Sequence, residues 1–177
     1  ETSTNDVSVP AHLARLFPNT DFSTADPALE EAVSGGPTRD GIPALNNPNF
    51  VGLSEVSYPD AVQAIVINGV QETKVYPYNI LTWHEIVNDD IDGERVAITF
   101  CPLCGSAIAF RGGQSGQPLT FGVSGSLLES NMIMFDRETE SLWQQSTGET
   151  LAGELHESKL ELYPMQLLTM GEIRTLY

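Results

Sequence analysis

The residues best suited to chemistry are the two cysteines, both held in Cys101-Pro102-Leu103-Cys104-Gly105. Two thiols separated by two residues support three chemistries. As thiolates they bind a soft or borderline metal ion. Joined, they form a structural disulfide. Cycling between the two states, they exchange electrons with another dithiol. Redox cycling needs an activated thiolate, and the usual source of activation is a helix N-terminus just after the motif. Here the residues that follow, Gly105-Ser106-Ala107-Ile108-Ala109-Phe110, read as a strand, so no such helix is expected.

A metal reading is the leading one, because Cys-Pro-x-Cys-Gly resembles the knuckle turn of rubredoxins and zinc ribbons. Those sites use two knuckles and this chain has one, so further donors must come from elsewhere. His84 is the best candidate. His12 and His156 lie in polar or arm-like sequence and are weaker ones. Two thiolates and an imidazole suit one zinc or copper ion, and Met132 or Met134 as a further donor would favour copper. Glu85, next to His84, is a candidate general base or an acceptor that orients an imidazole. Asp136 and Arg137, with Glu140 and Trp143, make a second polar cluster that either holds a carboxylate-bearing ligand or locks a turn. Ser124 and Ser146 lie in glycine-containing loops without a G-x-S-x-G elbow, which leaves serine hydrolysis without support.

Positioning these residues requires hairpins. Val96–Phe100 and Ala107–Phe110 are β-prone runs on either side of the cysteine turn. Ala61–Ile67 and Val70–Tyr76 flank Asn68-Gly69, the strongest short-range signal for a two-residue hairpin turn. Apolar residues at Ile80, Leu81, Trp83, Ile86 and Val87 fit one face of a short helix ended by Asn88-Asp89-Asp90. Strands are expected over Leu119–Ser124, Met132–Asp136, Leu142–Gln145 and Lys159–Tyr163, with a closing helix from Leu167. The fold class is therefore α+β, mainly antiparallel β hairpins with two or three short helices, and closure into a small barrel is an arrangement such hairpins allow.

Residues 1–34 read as an arm, loosely structured or docking to a partner, with short helices near Val9–Phe17 and at Pro27–Val33, the latter capped by Asp26. Residues 35–177 form one globular domain, and the abrupt end at Tyr177 suggests that it is cut short there. The formal charge is −16, from 24 acidic and 8 basic residues. Nucleic-acid phosphates need a basic face, so nucleic acid is not an expected partner. The acidity instead suits a salt-adapted surface. No apolar run is long enough to cross a membrane as a helix. Neither a dinucleotide fingerprint nor a P-loop is present, so no nucleotide cofactor is expected.

Trp83-His84-Glu85-Ile86-Val87-Asn88-Asp89, Asp40-Gly41-Ile42-Pro43-Ala44-Leu45, Cys101–Gly105, Thr120–Gly125 and Met134–Trp143 occur in the order seen in an uncharacterised domain-of-unknown-function family, which this chain resembles from about Gly35 onward. The resemblance implies an exported protein of bacterial or haloarchaeal type, extracellular or at the cell surface with its signal peptide removed, and it brings no established activity. The function expected is thus metal handling or electron transfer at Cys101, Cys104 and His84. The alternatives are a cell-surface interaction module stapled by a Cys101–Cys104 disulfide and docked through its arm, and a thiol–disulfide oxidoreductase.

Overall fold

The computed structural model describes residues 7–114 and 116–177. Fourteen short strands and three short helices are found among them, in three open sheets and one small hairpin. The class is the expected one, and none of the three sheets closes into a barrel.

The central sheet holds the cysteine hairpin. Leu45–Asn46 (β2) pairs in parallel with Ile86–Ile91 (β5), which pairs antiparallel with Glu94–Cys101 (β6), and β6 with Ser106–Arg111 (β7). Both faces of this sheet are buried, so β6 runs from Val96 to Cys101 with Thr99 as its one polar residue, while β5 buries the polar Asn88 and Asp89. One face of β6, with Ala97 and Cys101, packs on a second sheet, while Val96, Ile98 and Phe100 pack on a third.

The second sheet is built from Val33–Ser34 (β1), Phe121–Leu128 (β10), Asn131–Asp136 (β11), Leu142–Gln144 (β12) and Thr150–Ala152 (β13), in that order and antiparallel. Along β11 the period of two divides the side chains. Met132 and Met134 face the cysteine sheet, whereas Ile133 and Phe135 face the N-terminal segment. A bulge interrupts the β10–β11 register between Val123 and Leu127. At its centre Gly125 has φ +78°, and a Cβ there would run into the Pro37 carbonyl, so only glycine lets the incoming chain lie so close. Ser124 donates to the Ile133 carbonyl at 2.6 Å inside this bulge, a structural role.

The third sheet is Gln166–Thr169 (β14), Gln63–Asn68 (β3) and Thr73–Pro77 (β4). Its β3 turns Ile65 and Ile67 toward the cysteine sheet and Ala64 and Val66 toward the C-terminal helix Met170–Leu176 (α3). Gly113–Gln114 (β8) and Gln117–Pro118 (β9) form the small hairpin, and Ser115 of the expected glycine-rich turn lies outside the described residues.

Several expectations are corrected. Asn68 pairs with Thr73, so the β3–β4 turn has four residues rather than two. Asp92 of the neighbouring hairpin explains the wider turn, because its carboxylate accepts from the Val70 and Gln71 amides. The helix Tyr78–His84 (α2) stops earlier than its apolar pattern suggests, since Glu85 takes φ +57° and Ile86 onward is strand. Ladder bonds to β6 outweigh the helical spacing of Ile86 and Val87. Leu167 and Leu168 are strand before α3 begins. Lys159–Tyr163 makes only isolated bridges, Glu149 with Lys159 and Phe110 with Leu162.

The N-terminal segment is part of the core. Residues 1–6 lie outside the described residues. Beyond them Ala11–Leu16 (α1) and the 3-10 turn Pro27–Glu31, capped by Asp26 through Ala28 N–H, bury Leu13, Phe17 and Leu29 against Ile133, Phe135 and Leu142. This explains how helices too short to persist alone are held. Phe17 is fully buried, its ring 5.2 Å from that of Phe135. Phe17→Ala should therefore cost about 3–5 kcal/mol of unfolding free energy in chemical denaturation, the range for emptying a large core aromatic site. A loosely attached arm would show almost no change.

Candidate functional site: a thiol pair in a buried amide network

The cysteine hairpin turns within one loop closed by Gly105 N–H donating to the Cys101 carbonyl at 2.8 Å. This is the backbone reason for Gly105, which takes φ +68°. The loop leaves the two thiols in different environments. Cys101 is buried among Ile86, Met132 and Trp143, with Sγ 3.9 Å from the Ser130 carbonyl, while Cys104 is exposed. Both are free thiols.

Two uncharged side chains reach Cys104, and two more, Gln145 just after β12 and Thr99 of β6, hold them in place. Asn131 Nδ2 lies 3.3 Å from Cys104 Sγ, and Ser106 Oγ 3.1 Å from it. Gln145 is completely buried. Its Oε1 accepts from Asn131 Nδ2 at 2.7 Å and from Ser106 Oγ at 2.8 Å, and its Nε2 donates to Thr99 Oγ1 at 3.0 Å. The amide orientations follow from their fixed neighbours. Ser146 N–H donates to Asn131 Oδ1 at 2.9 Å, which forces Nδ2 toward the sulfur. Thr99 Oγ1 donates to the Ile108 carbonyl at 2.8 Å, so it can only accept from Gln145, which turns Oε1 toward the site.

The proton inventory then distinguishes the two states of Cys104. Asn131 has two amide hydrogens, one for Gln145 and one for sulfur. Ser106 has one hydroxyl hydrogen and two uses for it. Beside a neutral thiol it donates to Gln145 and accepts from S–H; beside a thiolate it turns to donate to sulfur. Burial of Cys104 works against ionisation, but hydrogen bonds from Ser106, Asn131 and Cys101 and from the Ser106 backbone outweigh it and bring the thiol down to about 7. Burial, and then the hydrogen bond to Cys104, pushes Cys101 up. An accessible sulfur whose ionisation is favoured thus sits beside a buried one whose ionisation is opposed.

The other candidates are placed as follows. His84, at the end of α2, has Nδ1 2.7 Å from the Pro43 carbonyl. Among the described residues no three His, Cys, Asp or Glu side chains converge into a group able to hold a metal ion. Met132 and Met134 are core residues of the second sheet. Of the weaker histidine candidates, His12 has Nε2 buried without a partner among the described residues, and the His156 amide closes a turn onto Gly153. Glu85 is buried at the α2–β5 junction, where its carbonyl accepts from Phe100 N–H, and burial pushes its carboxyl up to about 7.

The second polar cluster is a turn lock. Asp136 is fully buried and accepts from Thr139 N–H at 2.6 Å and Trp143 Nε1 at 2.8 Å. Arg137 makes a two-bond pair with Asp40, and Glu140 bonds Arg39 at 2.8 Å. A cavity of about 540 Å³ lies elsewhere, lined by Phe50, Leu53, Tyr76, Leu81 and Met170 among others, and touches none of the thiol network.

Residues 39–177 match the family described as a protein of unknown function, DUF3179. The chain belongs to that family. No curated protein and no solved structure matches it. The family carries no assigned activity, so the chemistry rests on the site itself.

Asn131, Gln145, Ser106 and Thr99 are the residues that sequence reasoning misses. Their available signal is polarity where burial is expected, in Asn131 ahead of Met132–Phe135 and in Gln145 after Leu142-Trp143.

Two outcomes follow. Asn131→Ala should raise the Cys104 titration by about one pH unit, read from thiolate absorbance or the pH dependence of alkylation, with half-maximal alkylation moving up from about 7 in the unaltered protein. Glu85 has a folded value raised above the unfolded one, so the native state holds an extra proton between the ordinary carboxyl range and about 7, and stability falls as pH rises through that window. Glu85→Gln should remove this loss, stabilising the protein by roughly 1–3 kcal/mol at pH 8 with little effect at pH 4.

Proposed function

We propose that the protein is a thiol–disulfide exchange protein in which Cys104 attacks and Cys101 resolves. The observation that carries this reading is the asymmetry of the pair: an exposed thiol lowered to about 7 by directed donors, beside a buried thiol pushed up. A purely structural disulfide needs no such donors. A metal site needs further ligands that the described residues do not bring to the thiols.

In the exchange the Cys104 thiolate attacks one sulfur of a substrate disulfide. A mixed disulfide forms, and the other substrate sulfur leaves as a thiolate. Cys101 then loses its proton to that thiolate or to water and attacks Cys104, forming the Cys101–Cys104 disulfide and releasing the second substrate thiolate. The protein loses two electrons and the substrate gains two. A dithiol donor restores the reduced pair by the same steps in reverse. Export to an oxidising compartment, together with an acidic salt-adapted surface of haloarchaeal type, is the setting in which we place this chemistry.

The test is turnover with glutathione disulfide and a dithiol donor, in high salt, joined to elemental analysis. Cys104→Ser should fall to the uncatalysed rate, and Cys101→Ser should accumulate a mixed disulfide on Cys104 visible in the intact mass. A stoichiometric copper or zinc ion lost in Cys101→Ser would overturn exchange in favour of metal handling. Absence of turnover together with a pair that is oxidised as isolated would leave a structural staple.

A further inference from the structure

The edge of the cysteine sheet has one open rung, and it lies beside the reactive thiol. β7 is an edge strand. Ser106, Ile108 and Phe110 direct their backbone groups to β6, opposite Cys101, Thr99 and Ala97, so Ala107, Ala109 and Arg111 direct theirs outward. Two of these three are partly covered: Arg111 N–H donates to the Glu161 carbonyl at 2.8 Å, and Tyr163 N–H donates to the Ala109 carbonyl at 2.8 Å. The covering segment would meet Ala107 next. It does not: Met165 is the residue in register with Ala107, and the chain leaves this edge there to enter β14 at Gln166, which pairs with β3. Among the described residues no hydrogen bond reaches the outward N–H or C=O of Ala107.

Resting on the exchange reading above, we infer that the open rung at Ala107 docks an extended, basic polypeptide segment as an added strand and presents its disulfide to Cys104. Ala107 is three residues from Cys104, a span of at most about 10 Å along an extended chain, so a docked segment carries a cystine a few residues away onto the thiolate. Two backbone bonds suit a substrate that must leave after each exchange. Charge selects the partner: the chain carries −16, and exposed Glu129 adjoins Ser130, whose carbonyl is 3.9 Å from Cys101 Sγ. Exposed Leu103, between the cysteines, offers the segment an apolar contact.

Ala107→Pro removes the outward donor and leaves the β6–β7 ladder bonds, since proline is tolerated on an open edge. The probes are a lysine-flanked peptide disulfide, the same peptide flanked by glutamate, and glutathione disulfide. The expected result is a roughly five- to tenfold slower reaction of Ala107→Pro with the basic peptide, an unchanged rate with glutathione disulfide, and a preference of the unaltered protein for the basic peptide over the acidic one. A second measurement uses only the unaltered protein: N-methylation of the peptide backbone near its cystine should slow exchange at one alternate set of positions. Equal effects on peptide and glutathione, or indifference to methylation, would overturn strand docking while leaving exchange intact. Failure to reduce any of the three disulfides would overturn the exchange reading and the docking with it.

Discussion

The structure of the site depends on one buried amide. Gln145 is completely enclosed, and an amide enclosed without partners costs on the order of several kcal/mol. It is satisfied by Thr99 of β6, by the hydroxyl and carbonyl of Ser106 on β7, and by Asn131 of β11. These groups belong to two sheets. The amide therefore sets the spacing between the sheets at the end where the cysteine turn emerges. It also uses up the acceptors around Asn131, so that the amide hydrogen left over points at sulfur.

A strand scaffold solves the problem of thiol activation differently from a helix. A helix N-terminus offers several N–H groups that converge on the first cysteine of the motif. A hairpin turn has no such convergence, and its own closing bond, Gly105 N–H to the Cys101 carbonyl, is taken. Activation must come from side chains across the sheet interface, and they reach the cysteine that projects outward. Hence the second cysteine is the accessible, lowered one and the first is buried in the apolar layer between sheets. In the exchange proposed above, the order of attack and resolution would follow from which side of β6 faces the second sheet.

Much of the fold was legible in the sequence, and less of the site. The cysteine hairpin, β3, β10, β11 and the Asp26 cap follow from β-prone runs and turn chemistry, which are local. Errors fell where a distant group decides: Asp92 widens the turn after Asn68, and the β6 ladder takes Ile86 and Val87 from the helix. The N-terminal segment has helices too short to persist alone, and nothing local tells that Phe17 meets Phe135. Cys101 and Cys104 announce themselves by type and spacing. Asn131 and Gln145 do not, because an amide in a strand is ordinary until its burial is known.

The second polar cluster has a place in this arrangement, although it touches no thiol. Asp136 ends β11 and Trp143 lies in β12, and the bond between the carboxylate and the indole closes the turn that joins them. Gln145 follows Trp143 by two residues, its N–H donating to the Met132 carbonyl at 3.1 Å, while Asn131 begins β11. The hairpin locked at one end by Asp136 thus delivers both amides at the other. A slip of one residue between β11 and β12 would turn Gln145 away from Asn131 and send Trp143 out of the core, since side chains alternate between faces. The register is held by burial of Trp143 between the sheets and by the buried carboxylate that only its indole and Thr139 satisfy. The chemistry at Cys104 is therefore tied, through one hairpin, to a charge buried at its far end.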